Sequence, residues 1–522
     1  MLHRTAFALL VSGLIACALA SADARSAPHR ASLAPARMTE GGATAPSTAA
    51  SVDRQTGGPA APKPSDIVPL ELLPGESAQI TALRKAVDAE VDAFAVRAIE
   101  MSDWMYRNPE TGYLEFKASA MMGDELKKQG FDVSYGVPGL DAEFDAFVKE
   151  RFGQSGLKQA FVAKYKGRTE HPVVAFMLEA DALREQGGKA FHGCQHNQQG
   201  PVAVASAVAL GRVMEKNRIP GSVWVIFTPA EEVPPSVKTA MTRAGVFDGV
   251  DFLVRTHGTG HTAQRARAGI GNCCMLIEST LYEFNGAPAH GTRAWQGHDA
   301  LDAARLFFTA VDMLREHSEP TFRFMGTITR VGSAPNVVND SVEVDHWIRN
   351  ADRSGLQAIK KKQEQVDAIA RGVAMATFTE VKIRHYGTDT NGIENGWLQA
   401  LAWNYTKAYG DASAISDELA EPTGWDESGI GAVNVPGVQV RAAVAGVPDV
   451  PGHSYENAAI TTSAEVHKGL VQLSKIGAAV GLRLLTDPDL RKKVNDEHAA
   501  WQRYGLEKGL LTPDLIRKKT TN

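Results

Sequence analysis

Four short stretches of this chain carry residue types that can hold a divalent cation and use it. His192-Gly193-Cys194-Gln195-His196-Asn197 sets a thiolate and an imidazole two residues apart. Pro229-Ala230-Glu231-Glu232, Thr256-His257-Gly258 and Pro451-Gly452-His453-Ser454 follow later. Cys194, His196, Glu231, Glu232, His257 and His453 together supply one thiolate, three imidazoles and two carboxylates. That is enough for two divalent ions with open coordination positions. Mixed sulfur, nitrogen and oxygen ligation makes zinc the default, and ligand type leaves manganese, cobalt and nickel open. Adjacent glutamates can divide two tasks. One ligates, while its neighbour, on the other side of the backbone, takes a proton from the attacking water. Glu232 is read as the ligand and Glu231 as the base. Any of these residues alone would more often be structural, as a buried core cysteine, a satisfied loop histidine or a solvated acidic pair. The reading rests on the set and on where its members sit.

Apolar runs at Val173–Leu178, Ser222–Phe227 and Phe252–Arg255 read as buried strands; the first ends in the acidic turn Glu179-Ala180-Asp181, after which a loop presents His192, Cys194 and His196, and the other two end just before Glu231-Glu232 and His257. Helical periodicity lies between and around them, at 77–105, 117–129, 202–214 and 237–244. The alternation predicts an α/β catalytic domain, a mostly parallel sheet flanked by helices on both faces. Such sheets gather their sites at the carboxyl ends of the strands, where every candidate falls. Residues 275–388 change character. Two strand–helix–strand halves predict an inserted α+β domain of ferredoxin-like form. The catalytic domain then takes residues 69–274 and 389–487, with 488–522 as a charged, helical C-terminal extension that shows no functional signal.

With 44% hydrophobic and 22% charged residues, net charge -5 and pI near 6.3, nothing points to a nucleic-acid partner. Four cysteines in 522 residues are too few for a disulfide scaffold, and the adjacent Cys273 and Cys274 read as buried core. His3 and Arg4, the apolar run Ala6–Ala20 and small residues beyond it make residues 1–24 a signal peptide. The expected location is periplasmic or secreted. Cys17 in Leu14-Ile15-Ala16-Cys17 offers a lipoprotein alternative, disfavoured because the apolar run continues past it. Residues 25–68, rich in Ala, Pro, Ser, Thr and Gly, read as a disordered linker. No other stretch is long and apolar enough for a membrane span.

The order of these motifs resembles peptidase family M20, the co-catalytic metallopeptidases, and within it the amidohydrolase branch, over roughly residues 80–480. His192–Asn197 is similar to the HGCGHN of the p-aminobenzoyl-glutamate type, and Pro229–Glu232 to the family's PAEE. The resemblance implies that Glu231 is the base, that Glu232, His257 and His453 are ligands, and that Cys194 bridges two ions. Asn285-Gly286-Ala287-Pro288-Ala289-His290 resembles a G-x-x-A-H segment. By that resemblance the insert is a lid and dimerisation domain, and His290 reaches the partner's site in a homodimer to stabilise the oxyanion. Segments holding Asn336 and Arg349 match those that grip the substrate carboxylate, for which a guanidinium offers two parallel hydrogen bonds. Asp181, in a DAL match, orients a ligand imidazole or caps its loop. His192 is read as a pocket wall. Gln195 stands where the family has glycine, and Val233-Pro234-Pro235-Ser236 replaces a glycine-rich stretch. The implied activity is hydrolysis of the amide bond of an N-acyl or N-aroyl amino acid, or of a dipeptide with a free carboxylate. A dipeptidase or carboxypeptidase is the alternative within the family. A non-catalytic periplasmic binding protein on the same fold would have no use for Glu231.

Overall fold

The computed structural model describes residues 75–185, 187–266, 271–273, 276–332, 334–350, 356–389, 392–420, 431 and 433–517. The expected signal peptide and linker lie outside the described residues, as does the Cys273–Cys274 pair apart from the backbone of Cys273. Among the described residues no helix is long and apolar enough to cross a membrane.

Helix α1 (Ala78–Arg107) begins at Ser77, whose hydroxyl accepts from the Ile80 N–H. It buries Val87, Val91, Phe94, Ala98, Met101 and Met105, the three- and four-residue spacing seen in the sequence. Helix α2 (Phe116–Lys128) follows. Strand β1 (Asp132–Tyr135) and helix α3 (Ala142–Phe152) were not foreseen, although α3 carries clear end signals. Asp141 accepts from the N–H groups of Glu143 and Phe144, and Gly153 closes the helix at φ 70. Next come β2 (Phe161–Lys166), β3 (Val173–Leu178), α4 (His196–Asn217), β4 (Ser222–Phe227), α5 (Val237–Ala244) and β5 (Phe252–Thr256).

The chain enters the insert through β6 (Gly271–Cys273). It builds β7 (Leu276–Asn285), α6 (Ala300–Glu316), β8 (Phe322–Arg330), β9 (Ser341–Asn350), α7 (Leu356–Ala376) and β10 (Glu380–Asp389). The sheet order is β8-β9-β7-β10, and every neighbouring pair is antiparallel. This is the ferredoxin-like arrangement. Tyr282, Phe284, Phe307, Val344 and Ile348 form its core with residues of α6 and α7.

The chain returns through β11 (Gly392–Glu394), which pairs antiparallel with β6, so both crossings run side by side. There follow α8 (Gly396–Tyr409), β12 (Gly437–Val440), α9 (Tyr455–Ile460), α10 (Ala464–Thr486) and α11 (Pro488–Glu507). The main sheet has the order β1-β2-β4-β3-β5-β12. Strands β4, β3, β5 and β12 are parallel, and β2 and β1 are added antiparallel at one side. Alternate residues of β3 enter different cores. Val174, Phe176 and Leu178 pack under α1, α4 and α10, while Val173, Ala175 and Met177 pack with α3 and α5. Covering both faces is what makes the strand apolar at every position.

The C-terminal extension is not loose. The Asn395 amide donates to the Val494 carbonyl at 2.9 Å, and Glu497 accepts from the N–H groups of Gly396 and Trp397. Leu511 and Leu515 bury against Ile393 of β11, and the Leu356 N–H at the head of α7 donates to the Gly509 carbonyl. Its helix stops at Glu507, and a short turn at Pro513–Leu515 completes the contact.

Helix α3 docks the insert. Arg151 makes two bonds to Glu343 at 2.8 and 3.0 Å, Arg384 reaches Glu150 at 2.9 Å, and Phe147 stacks on Tyr386. A cavity of about 330 Å³ lies between them, lined by Phe147, Arg151, Val233, Pro234, Asp345 and Tyr386 among others.

Candidate metal centre

The four parallel strands end at one edge of the sheet. Just past β3 stand Glu179 and Asp181, past β4 Glu231 and Glu232, and past β5 His257. His453 comes from the chain between β12 and α9. The sequence suggests that α4 begins near Gly200. It begins at His196, with Pro201 inside it, so this imidazole sits on the first turn of a buried helix instead of on a free loop.

These side chains converge. Cys194 Sγ lies 3.6 Å from His257 Nε2, and His453 Nε2 lies 3.5 Å from Glu232 Oε1. His196 Nε2 faces Glu179 at 3.6 Å and both Glu231 and Glu232 at 3.9 Å. Three overlapping sets have ligand atoms within 4.8 Å of one another: Cys194, His196 and His257; Cys194, Glu232 and His453; Glu179, His196 and Glu231. The site is graded in depth. The His196 side chain is 0% exposed and that of His453 58%, so the cluster opens to solvent on the His453 side.

The residues fit divalent cations on two counts. His196 Nε2 and Glu232 Oε1 are buried and find no hydrogen-bond partner, which leaves a donor nitrogen and an oxygen aimed at the same space. The acids Glu179, Asp181, Glu231 and Glu232 also lie close to one another, and the buried ammonium of Lys238 sits 2.8 Å from Glu179. Burial, then the neighbouring Glu179 and Glu232, raises the pKa of Glu231 well above the usual carboxylate range. Burial likewise raises Glu232 and the Cys194 thiol. A bound cation would favour the ionised forms that burial and mutual repulsion disfavour here.

Asp181 holds the arrangement from behind. Burial opposes its charge, but the hydrogen bond from His196 Nδ1 at 2.9 Å and that from the Glu232 N–H at 2.8 Å keep its pKa low. One carboxylate therefore sets the angle of the His196 ring and the backbone of the glutamate pair. Asp181→Ala is expected to weaken cation affinity about 10–100-fold in chelator competition. An unchanged affinity would reduce Asp181 to a loop cap.

Three expected site residues lie in the insert, outside the convergent cluster. His290 is exposed and caps the turn Gly291–Gln296, with its Nδ1 accepting from the Thr292 N–H at 3.2 Å. Asn336 is brought beside it, its carbonyl accepting from the Gly291 N–H at 2.7 Å. Arg349 is half-buried on β9, its guanidinium 5.4 Å from the Trp347 ring centre. His192 is buried, and burial pushes its pKa down to about 3, so it stands neutral.

Sequence reasoning gave Glu179 and Lys238 no role. No sequence signal marked them: only the fold shows that residues 237–242 of α5 are all buried, Lys238 among them. Gln195 is the other surprise. It adopts φ 62, the left-handed region that costs a non-glycine residue about 1–2 kcal/mol and that glycine adopts freely.

Residues 175–473 match the profile of Peptidase family M20/M25/M40. A p-aminobenzoyl-glutamate hydrolase polypeptide of Escherichia coli is 30% identical over 350 residues, covering 64% of this chain and 67% of that protein. The Xaa-Arg dipeptidase of Mus musculus is 27% identical over 436 residues, 81% of this chain and 94% of its own length. Among solved structures, an aminobenzoyl-glutamate utilization protein from Klebsiella pneumoniae superposes with TM-score 0.53 at 20% identity, over 76% of this chain and 97% of its own. A dinuclear metal-binding peptidase from Bacillus subtilis gives TM-score 0.50 at 19% identity, over 76% and 99%. These two share the fold. The profile match spans more than half of the chain and all four strand ends that carry the candidate residues, and with the Escherichia coli relative it means that the chain belongs to Peptidase family M20/M25/M40.

Proposed function

We propose that this family member is an exported amidohydrolase that cleaves the amide bond of an N-acyl or N-aroyl amino acid with a free carboxylate. The observation that carries the reading is the convergence of Cys194, His196, His257, His453 and Glu232 on one space, with Glu231 at its wall. Two divalent ions held there, zinc by default, would polarise the scissile carbonyl and make water acidic enough to attack. Glu231 takes the proton from the attacking water and returns it to the leaving amine. His290 of a partner subunit steadies the oxyanion, and Arg349 with Asn336 holds the carboxylate. A homodimer is supported by β8, an edge strand with most side chains exposed, and by Trp295, 78% exposed five residues after His290. The acyl group is assigned to the cavity beside Val233 and Pro234, whose aromatic walls Phe147 and Tyr386 suit a ring. Export rests on the composition of residues 1–24 and is read by N-terminal sequencing of the mature chain.

A panel of aroyl-glutamates, acyl amino acids and dipeptides, run with and without chelator, tests the proposal. Chelator-sensitive turnover of aroyl or acyl amino acids is expected. Turnover of dipeptides alone would move the reading to the dipeptidase that the long match to the mouse relative favours. Cation uptake with no amide turnover would leave a binding protein.

A further inference from the structure

We infer that Gln195 is a positioning residue. It is the centre of a buried hydrogen-bond chain that fixes three ligand-bearing segments relative to one another and so sets the affinity of the site for its cations. The inference rests on the metal reading of the cluster. The chain runs in one direction. The Thr259 hydroxyl donates to Gln198 Oε1 at 3.0 Å, and Gln198 Nε2 donates to Gln195 Oε1 at 2.8 Å. Gln195 Nε2 donates to Asn457 Oδ1 at 2.7 Å, and Asn457 Nδ2 donates to the Gly193 carbonyl at 2.7 Å. The same carbonyl accepts from the backbone N–H of His453 at 2.9 Å. All four side chains are buried, so each broken link strands a polar atom away from water.

The placement gives the chain its meaning. Thr259 lies two residues past His257, Gln195 lies between Cys194 and His196, and Asn457 lies four residues past His453. Backbone bonds tie these segments in part, His453 to Gly193 and Gly260 to Ala442 and Val444. The side-chain amides add the buried links that run through Gln195 itself, between the two residues Cys194 and His196. Two further observations show that the local structure yields to this side chain. Gln195 occupies a left-handed backbone conformation at φ 62, which surrounding contacts must hold in place. Gly258, directly after His257, has no room for a methyl group: a Cβ there would lie 2.2 Å from Gln195 Oε1. The Gln195 amide fills the space that a side chain at 258 would take.

Cobalt titration of the chelator-treated full chain reads the effect, following the ligand-field and thiolate bands. Gln195→Met keeps the side-chain length and removes the amide, and Asn457→Ala cuts the next link. Each is expected to weaken cobalt affinity about 10–100-fold, the range for partners behind the ligands. The double variant should be no weaker than the worse single one, because both cut one chain. Thr259→Val, near-isosteric and at the far end, serves if either variant fails to fold; it should still weaken binding and shift the cobalt bands through His257. Unfolding of the cation-free chain is measured in parallel, since a merely structural amide would lower that stability and leave affinity untouched. Unchanged affinity in folded variants, or losses that multiply in the double variant, would overturn the inference while leaving the hydrolase in place. A wild-type chain that takes up no cobalt would overturn both.

Discussion

Glu231→Gln is expected to cut amide hydrolysis by about 10²–10⁴-fold while cation uptake stays close to wild type. The substitution keeps the shape of the side chain and removes its ability to accept a proton. Its carboxylate stands 3.9 Å from His196 Nε2, beside the proposed ligands. Burial and the charges of Glu179 and Glu232 make it hold a proton more tightly than an ordinary carboxylate, the property a base needs near neutral pH. Initial rates at saturating cation, paired with a cobalt titration, check the result. A rate within tenfold of wild type would remove Glu231 as the base, and joint loss of rate and cation would make it a ligand.

Lys238→Met should destabilise the cation-free protein by about 3–5 kcal/mol, the usual cost of leaving a buried charge without its partner. Lys238 is fully buried, 2.8 Å from Glu179, and its charge also favours the ionised forms of Glu231 and Asp181. Without it the acids at the strand ends would repel one another at close range. Denaturant midpoints measure the loss. Added divalent cation should restore much of it, because a ligand that binds only the folded state stabilises that state. Lys238→Met joined to Glu179→Gln should also recover, since removing both members of a buried pair costs less than removing one. A loss below about 1 kcal/mol in the single variant would show that the ammonium does not balance this cluster.

The convergence of the candidate residues was legible because strand and motif are local. Val173–Leu178 and Ser222–Phe227 announce themselves by unbroken apolar runs, and the groups that follow them arrive at one edge by parallel topology. The insert was legible for a related reason, its long strands and two amphipathic helices alternating in a recognisable order. What escaped is non-local. Nothing in the sequence couples Lys238 to Glu179, or Thr259 to Asn457; only the fold brings them into one ion pair and one hydrogen-bond chain. The start of α4 escaped because Pro201 argues for a boundary that burial of the whole first turn overrides. Helix α3 could have been found from Asp141 and Gly153, but it buries only Phe147 and Val148, too little for an apolar rhythm.

The extension past Asp487 lies against β11, whose antiparallel pairing with β6 carries both passages between the two domains, and it also reaches the head of α7. Shortening the chain from this end would therefore not trim an appendage. It would remove the contacts that brace the paired strands through which the chain enters and leaves the smaller domain, without a single residue of the metal cluster having been touched.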